Sequence, residues 1–133
     1  DEETGVTIMW LVEALDAGPI FLQEGLPIRP EDTSATLGER LAALGGAALV
    51  EALDLLAAGR LTPVRQDPAK ATLAPVLTRE HGRLDFSLPA ARLAGRLRAF
   101  DPWPGTFTTL GGRVLKVLAA AGLVAGGRAA NRR

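Results

Sequence analysis

The chain has no cysteine, which excludes a disulfide framework and any thiolate metal centre. It has no apolar run long enough to span a bilayer, and its first residues lack the basic-then-apolar pattern of a secretory signal. A membrane role is therefore not expected, and a cytoplasmic location is the default. The chain also begins without methionine and already inside a patterned segment, which suggests part of a longer or processed product. Its 133 residues, 47% hydrophobic and 23% charged, suffice for one ordinary domain or for pieces of two.

Net charge is absent too, because 15 basic residues balance 15 acidic ones. The balance hides an asymmetry. Residues 1–66 carry 11 acidic and 4 basic residues, and residues 67–133 carry 4 acidic and 11 basic. Opposite charge on two halves of a chain points to two modules, the basic one being a candidate for a polyanion partner. A solvated face with a basic tail at Arg128, Arg132 and Arg133 accounts for the same count, since charge constrains association rather than fold.

What is present reads first as strand. "GVTIMWLV" (Gly5 to Val12) is β-branched and apolar on both faces, as expected of a strand buried under helices, so Trp10 is expected in the core. "PIFLQEGLPI" (Pro19 to Ile28) has a similar character, with Gln23, Glu24 and Gly25 placing it nearer an edge. Between them, "LDAGP" is a turn with one carboxylate, Asp16, at its tip. Asp is common in turns because it bonds its own backbone. A carboxylate at the end of a buried strand is equally where open α/β sheets place reacting groups.

Asp32 or Thr33 then caps a helix, with Thr36 and Glu39 offering a second box. Leu37, Leu41 and Leu44, then Leu49, Leu53 and Leu56, keep helical spacing around Gly45 and Gly46, giving two helices or one broken helix that ends at Gly59. Residues 60–83 carry three prolines and no sustained period, and read as a linker with short extended pieces. Ser87 is the expected N-cap of a short helix burying Leu93, Leu97 and Phe100, with Arg92, Arg96 and Arg98 off that stripe. "DPWPG" stops it. "TFTTLGGRVLKV" reads as a hairpin turning at Gly111 and Gly112. Trp103, held between two prolines, is expected to be a packing anchor at a domain junction, with stacking on a base or another flat ring as the other reading. His81, the one histidine, is expected in a solvated turn.

Several of these pieces resemble one family. "ETGVTIMWLVEALDAGPIFLQEGLPIRPEDTSATLGERL" followed by "ATLAPVLTREHGRLDFSLPAARLAGRLRAFDPWPGTFTTLGGRVLKV" is similar to the methionyl-tRNA formyltransferases, from about Glu3 to Val117. TGVTIM with LDAG marks the wider formyltransferase group. EDTSATL, and the order of APVLTREHGRLDFS before RAFDPWPGTF, are more restricted.

The resemblance implies an α/β fold: residues 1–60 as the C-terminal portion of a Rossmann-like catalytic domain, 61–78 as linker, and 79–133 as the truncated start of an OB-like β-barrel. It implies formyl transfer from 10-formyltetrahydrofolate to the amino group of methionyl initiator tRNA in translation initiation, by an enzyme expected to be monomeric at full length and to need no metal. Asp16 matches the family's catalytic Asp, which sets the protonation of a catalytic His and passes protons as the amine attacks the formyl carbon. Val12, Glu13 and Ala14 match the loop lining the pterin pocket, chiefly through backbone groups. Arg92, Arg96, Arg98, Arg113 and Lys116 are candidate contacts to tRNA phosphates.

The Asn and His that complete the family's catalytic set are expected upstream of residue 1. Asn131, the one asparagine, and His81 do not match them. The chain alone is accordingly expected to be inactive. Two other readings stay open: a formyltransferase acting on a sugar-nucleotide amine, which shares the LDAG-like turn and the PWPG segment, and a non-catalytic remnant acting as an RNA-binding module.

Overall fold

The computed structural model describes residues 1–120. It divides into two compact units, Asp1–Pro75 and Val76–Arg133. The reading of residues 121–133 as a patternless basic tail lies outside the described residues.

In the first unit, strand β1 (Glu3–Met9) pairs antiparallel with β2 (Ile20–Pro27), matching Val6 to Glu24 and Ile8 to Leu22. The register slips after Ile8, so that Met9 faces Ile20 and Phe21 is the extra, bulged residue. A bulge bends its strand and re-aims a side chain. Here it brings Phe21 edge-on to Trp10, with ring centroids 5.6 Å apart.

Helix α1 (Ser34–Ala57) packs against both strands and contributes Ala48 and Ala52 to the core. Thr33 is its N-cap, in a box with Thr36. The Asp32 carboxylate accepts hydrogen bonds from the Arg29 N–H, the Thr36 hydroxyl and Arg40. These bonds, the Arg29 amide foremost, hold its pKa below the ordinary 3.8.

Three expectations for this unit are corrected. The first strand ends at Met9 rather than Val12, because the pairing stops where Trp10 N–H donates to the Pro19 carbonyl (2.9 Å) and the chain leaves the sheet. It is not buried on both faces: α1 covers one side, Gly5 and Thr7 stay exposed, and Trp10 is 53% exposed instead of lying in the core. The helix is not broken at Gly45 and Gly46. It continues for 24 residues, because the leucine period carries through the glycines and an added Cβ at Gly45 would only reach ordinary contact with Val6, 3.6 Å away. Gly59, with φ of 64°, follows the C-cap Ala58 as expected.

The second unit contains a 3-10 turn at Arg79–Gly82, helix α2 (Ala90–Ala99), and the antiparallel pair β3 (Thr106–Leu110) and β4 (Arg113–Val117). Gly111 and Gly112 have φ of 55° and 75°, the doubly left-handed pattern of a two-residue hairpin turn. Arg83 bridges β3 in parallel at Phe107, and the Leu84 N–H donates to the Phe107 carbonyl (2.8 Å). Leu84, Leu97 and Thr106 are buried.

Ser87 is not the cap of α2. Its hydroxyl donates to Asp85 (2.7 Å) and so does its N–H (3.0 Å), and the helix starts after Pro89 without a side-chain cap. A carboxylate two residues upstream competes successfully for the serine. His81 lies exposed in the 3-10 turn, as expected, and its Nδ1 accepts from the Thr78 N–H (2.8 Å) to close that turn. No helix among the described residues is long and apolar enough to cross a membrane.

Candidate active-site turn and basic surface

The loop from Trp10 to Gly18 leaves β1 and returns to β2. Its two ends are tied by the Trp10–Pro19 hydrogen bond, and Gly18 is where they come closest. A Cβ on Gly18 would sit 1.6 Å from the Trp10 carbonyl oxygen, so no larger residue fits. Just before it, Asp16 has φ of 51°, the left-handed region that few residues other than glycine adopt without cost. The Asp16 side chain is exposed.

Loops of this kind need an external brace, and the segment following α1 supplies it. Val64 pairs with Ile20 through two backbone hydrogen bonds of 2.8 Å. Two residues later, Gln66 Nε2 donates to the Asp16 carbonyl (2.8 Å) and to the Gly18 carbonyl (2.7 Å), with Met9 Sδ at 3.7 Å. Periodicity could not signal Gln66, because it lies in proline-rich sequence without a repeat.

The loop encloses an open concavity of about 170 Å³ lined by Met9 to Gly18. It brings together Val12, Glu13, Ala14 and Asp16. The backbone groups of residues 12–14 make no hydrogen bond among the described residues. The volume falls below the roughly 300 Å³ at which small-molecule pockets begin. Among the described residues no group of three or more His, Asp or Glu could hold a metal.

The five candidate RNA-contacting cations do not share a face. Arg92 and Arg98 are exposed on α2, and Arg98 Nη1 donates to the Ala94 carbonyl (3.3 Å). Arg96 turns inward, unlike its expected place off the apolar stripe. Its Nη2 donates to the His81 carbonyl (2.7 Å), its guanidinium lies 5.2 Å from the Phe100 ring centroid, and its Nε is buried. Stacking on the ring buries the guanidinium stem and leaves the Nε donor without a hydrogen-bond partner among the described residues. On β4, Arg113 and Lys116 fall on opposite faces because strand side chains alternate.

Lys116 lines a concavity of about 560 Å³ with Arg79, Trp103, Phe107, Val114 and Leu118. Trp103 is 59% exposed there. Arg79, which no spacing singled out, is the second cation of this concavity and no acidic residue lines it.

Residues 1–53 match the family model for formyl transferase, and residues 76–129 match that for the formyl transferase C-terminal domain. The methionyl-tRNA formyltransferase of Anaeromyxobacter dehalogenans (strain 2CP-C) is 62% identical over 120 residues, 90% of this chain and 38% of the relative. That of Myxococcus xanthus (strain DK1622) is 51% identical over 117 residues, 88% of this chain and 38% of the relative. The chain thus spans well under half the length of these curated relatives.

Among solved structures, the methionyl-tRNA formyltransferase of Clostridium thermocellum superposes with a TM-score of 0.68 at 17% identity, covering 95% of this chain and 53% of that one. HypX from Aquifex aeolicus in complex with tetrahydrofolic acid gives 0.72 at 22% identity, covering 86% and 20%. These two likenesses are of fold. With the Asp16 turn inside one family match and the β3–β4 hairpin inside the other, the chain belongs to the formyl transferase family.

Proposed function

We propose that this chain carries the Asp16 side of the active centre of a methionyl-tRNA formyltransferase. That enzyme moves a formyl group from 10-formyltetrahydrofolate to the amino group of methionyl initiator tRNA. In this reading the first unit is the C-terminal portion of a Rossmann-like catalytic domain, and the second is the start of an OB-like barrel that helps hold the tRNA. The location is cytoplasmic, the full-length enzyme is a monomer, and no metal takes part.

One observation carries the reading. An exposed carboxylate stands on a left-handed turn, at the rim of a concavity lined by free peptide groups. Asp16 would hold or move a proton as the amine attacks the formyl carbon, while the peptide groups of Val12, Glu13 and Ala14 meet the polar edge of the pterin. The 62% identity to a methionyl-tRNA formyltransferase favours a tRNA substrate over a sugar-nucleotide amine or a non-catalytic RNA-binding role. On the second unit, Arg92, Arg98, Arg113 and Lys116 would meet phosphates and set the position of the RNA.

The test grafts this chain over the matching stretch of the Anaeromyxobacter relative and measures formylation of methionyl-tRNA. The graft should be active, and Asp16→Asn should lower kcat by roughly 10²–10⁴, the usual worth of acid–base catalysis. Full activity in Asp16→Asn would overturn the assignment of Asp16. Formylation of a sugar-nucleotide amine in preference to methionyl-tRNA would overturn the substrate.

A further inference from the structure

We propose that Gln66 is a positioning residue for the Asp16 carboxylate, acting through the backbone of the turn that presents it. The proposal rests on the functional reading above.

A primary amide has two N–H donors, and the Gln66 amide places its nitrogen 2.8 Å from the Asp16 carbonyl oxygen and 2.7 Å from the Gly18 carbonyl oxygen. The two acceptors flank Ala17, so one side chain fixes the peptide planes on both sides of the tip. The donor arrives from 50 residues downstream of Asp16 and is itself held by the Ile20–Val64 bridge two residues earlier. Nothing comparable is available inside the loop: among its own residues the described hydrogen bonds supply only the Trp10–Pro19 tie at the base.

Asp16 sits at φ of 51°, a conformation that a non-glycine residue keeps only when its surroundings over-determine it. Released from Gln66, the turn can relax toward right-handed backbone, and the carboxylate then swings with it. A displacement of about 1 Å at a reacting group can cost roughly 10²-fold in rate.

Four variants in the grafted enzyme test this. Gln66→Leu removes both donors, Gln66→Glu turns them into acceptors facing two carbonyl oxygens, Gln66→Asn withdraws the amide by one methylene, and Gln66→Lys restores donors on a longer arm. Leu and Glu should lower kcat by about 10- to 100-fold with the KM for methionyl-tRNA within twofold. Asn should fall between them and the parent, and Lys should recover most of the rate. In an Asp16→Asn background, Gln66→Leu should cost less than twofold more, because it acts through a carboxylate no longer there.

Amide hydrogen exchange at Trp10 and Ile20, the hydrogen-bonded N–H groups at the base of the loop, should accelerate in Gln66→Leu. Unchanged exchange there would overturn the clamp and leave the functional reading intact. A silent Asp16→Asn would overturn the functional reading while exchange still reports on the clamp. Equal losses from Gln66→Leu with and without Asp16 would overturn the positioning role, as would a Leu variant whose whole defect is a lower yield of folded protein. Should the Leu variant not fold, the Asn and Lys pair carries the same comparison.

Discussion

At Asp16, local comfort and proposed chemistry pull in opposite directions. Its φ of 51° would suit glycine better, and the residue at the tip is nevertheless charged. Asp16→Gly should therefore raise stability by about 0.5–1 kcal/mol while removing the carboxylate and with it formyl transfer in the grafted enzyme. Denaturant unfolding with an unchanged m value checks the first part, and a lower midpoint would show that the turn is not strained. Gly18 is a different case. Its lack of a side chain answers to the Trp10 carbonyl pressed against it, not to dihedral freedom. "LDAG" thus shows a turn to any reader of the sequence. That its two special residues are special for different reasons, and that Gln66 holds both, became visible only with the loop folded.

Among the elements, α1 shows how a strong pattern can carry a weak residue. Gly46 interrupts the leucine series, yet an added Cβ there would meet nothing within 4 Å. Gly46→Ala should stabilise the chain by roughly 0.5–1 kcal/mol, the helix-interior cost of glycine. A thermal or denaturant midpoint at or below the parent's would show that some partner uses the bare backbone.

The start of α1 makes a prediction about pH. The Arg29 amide, with Thr36 and Arg40, lowers the folded-state pKa of Asp32. A depressed carboxylate stabilises the fold above its unfolded value and loses that contribution as pH falls through the folded one. Helical circular dichroism should accordingly decline as pH drops below about 4, the unfolded aspartate value, and Asp32→Asn should flatten that decline. An equally steep decline in the variant would assign the acid sensitivity elsewhere, with Asp85, lowered by its Ser87 bonds, next in line.

For the molecule as a whole, the charge split and the architecture agree only in outline. The basic half falls in and around the second unit, yet its arginines divide between surface and structure. Arg96 is spent on the His81 carbonyl and the Phe100 ring, while Arg98 reaches no farther than its own helix. In the grafted enzyme Arg98→Ala should weaken tRNA binding and reduce the salt slope of log K by roughly 1, leaving the melting temperature unchanged. Arg96→Ala should lower the melting temperature, since it removes a hydrogen bond and a cation–π contact worth together on the order of 1 kcal/mol. The reverse pattern would mean that Arg96 faces the RNA and Arg98 the fold.

The amino-acid sequence by itself determined the family, the hairpin, the existence of the two strands and the stop of α1 just before Gly59, because each rests on local chemistry: a double glycine, a β-branched run, a sustained leucine period. It also picked out the turn that bears Asp16. Tertiary structure alone decided which residues support that turn and which cations are available to a partner. Those outcomes depend on groups far apart in the chain, such as Gln66 against Asp16 and Arg96 against His81. Ser87 and Trp10 went against expectation for a related reason. Asp85 captured the hydroxyl that would have capped α2, and the chain leaves the sheet at the Trp10–Pro19 hydrogen bond, just after the strand ends at Met9. Propensity gives a residue's preferences one at a time, and such competition is settled only when the partners meet.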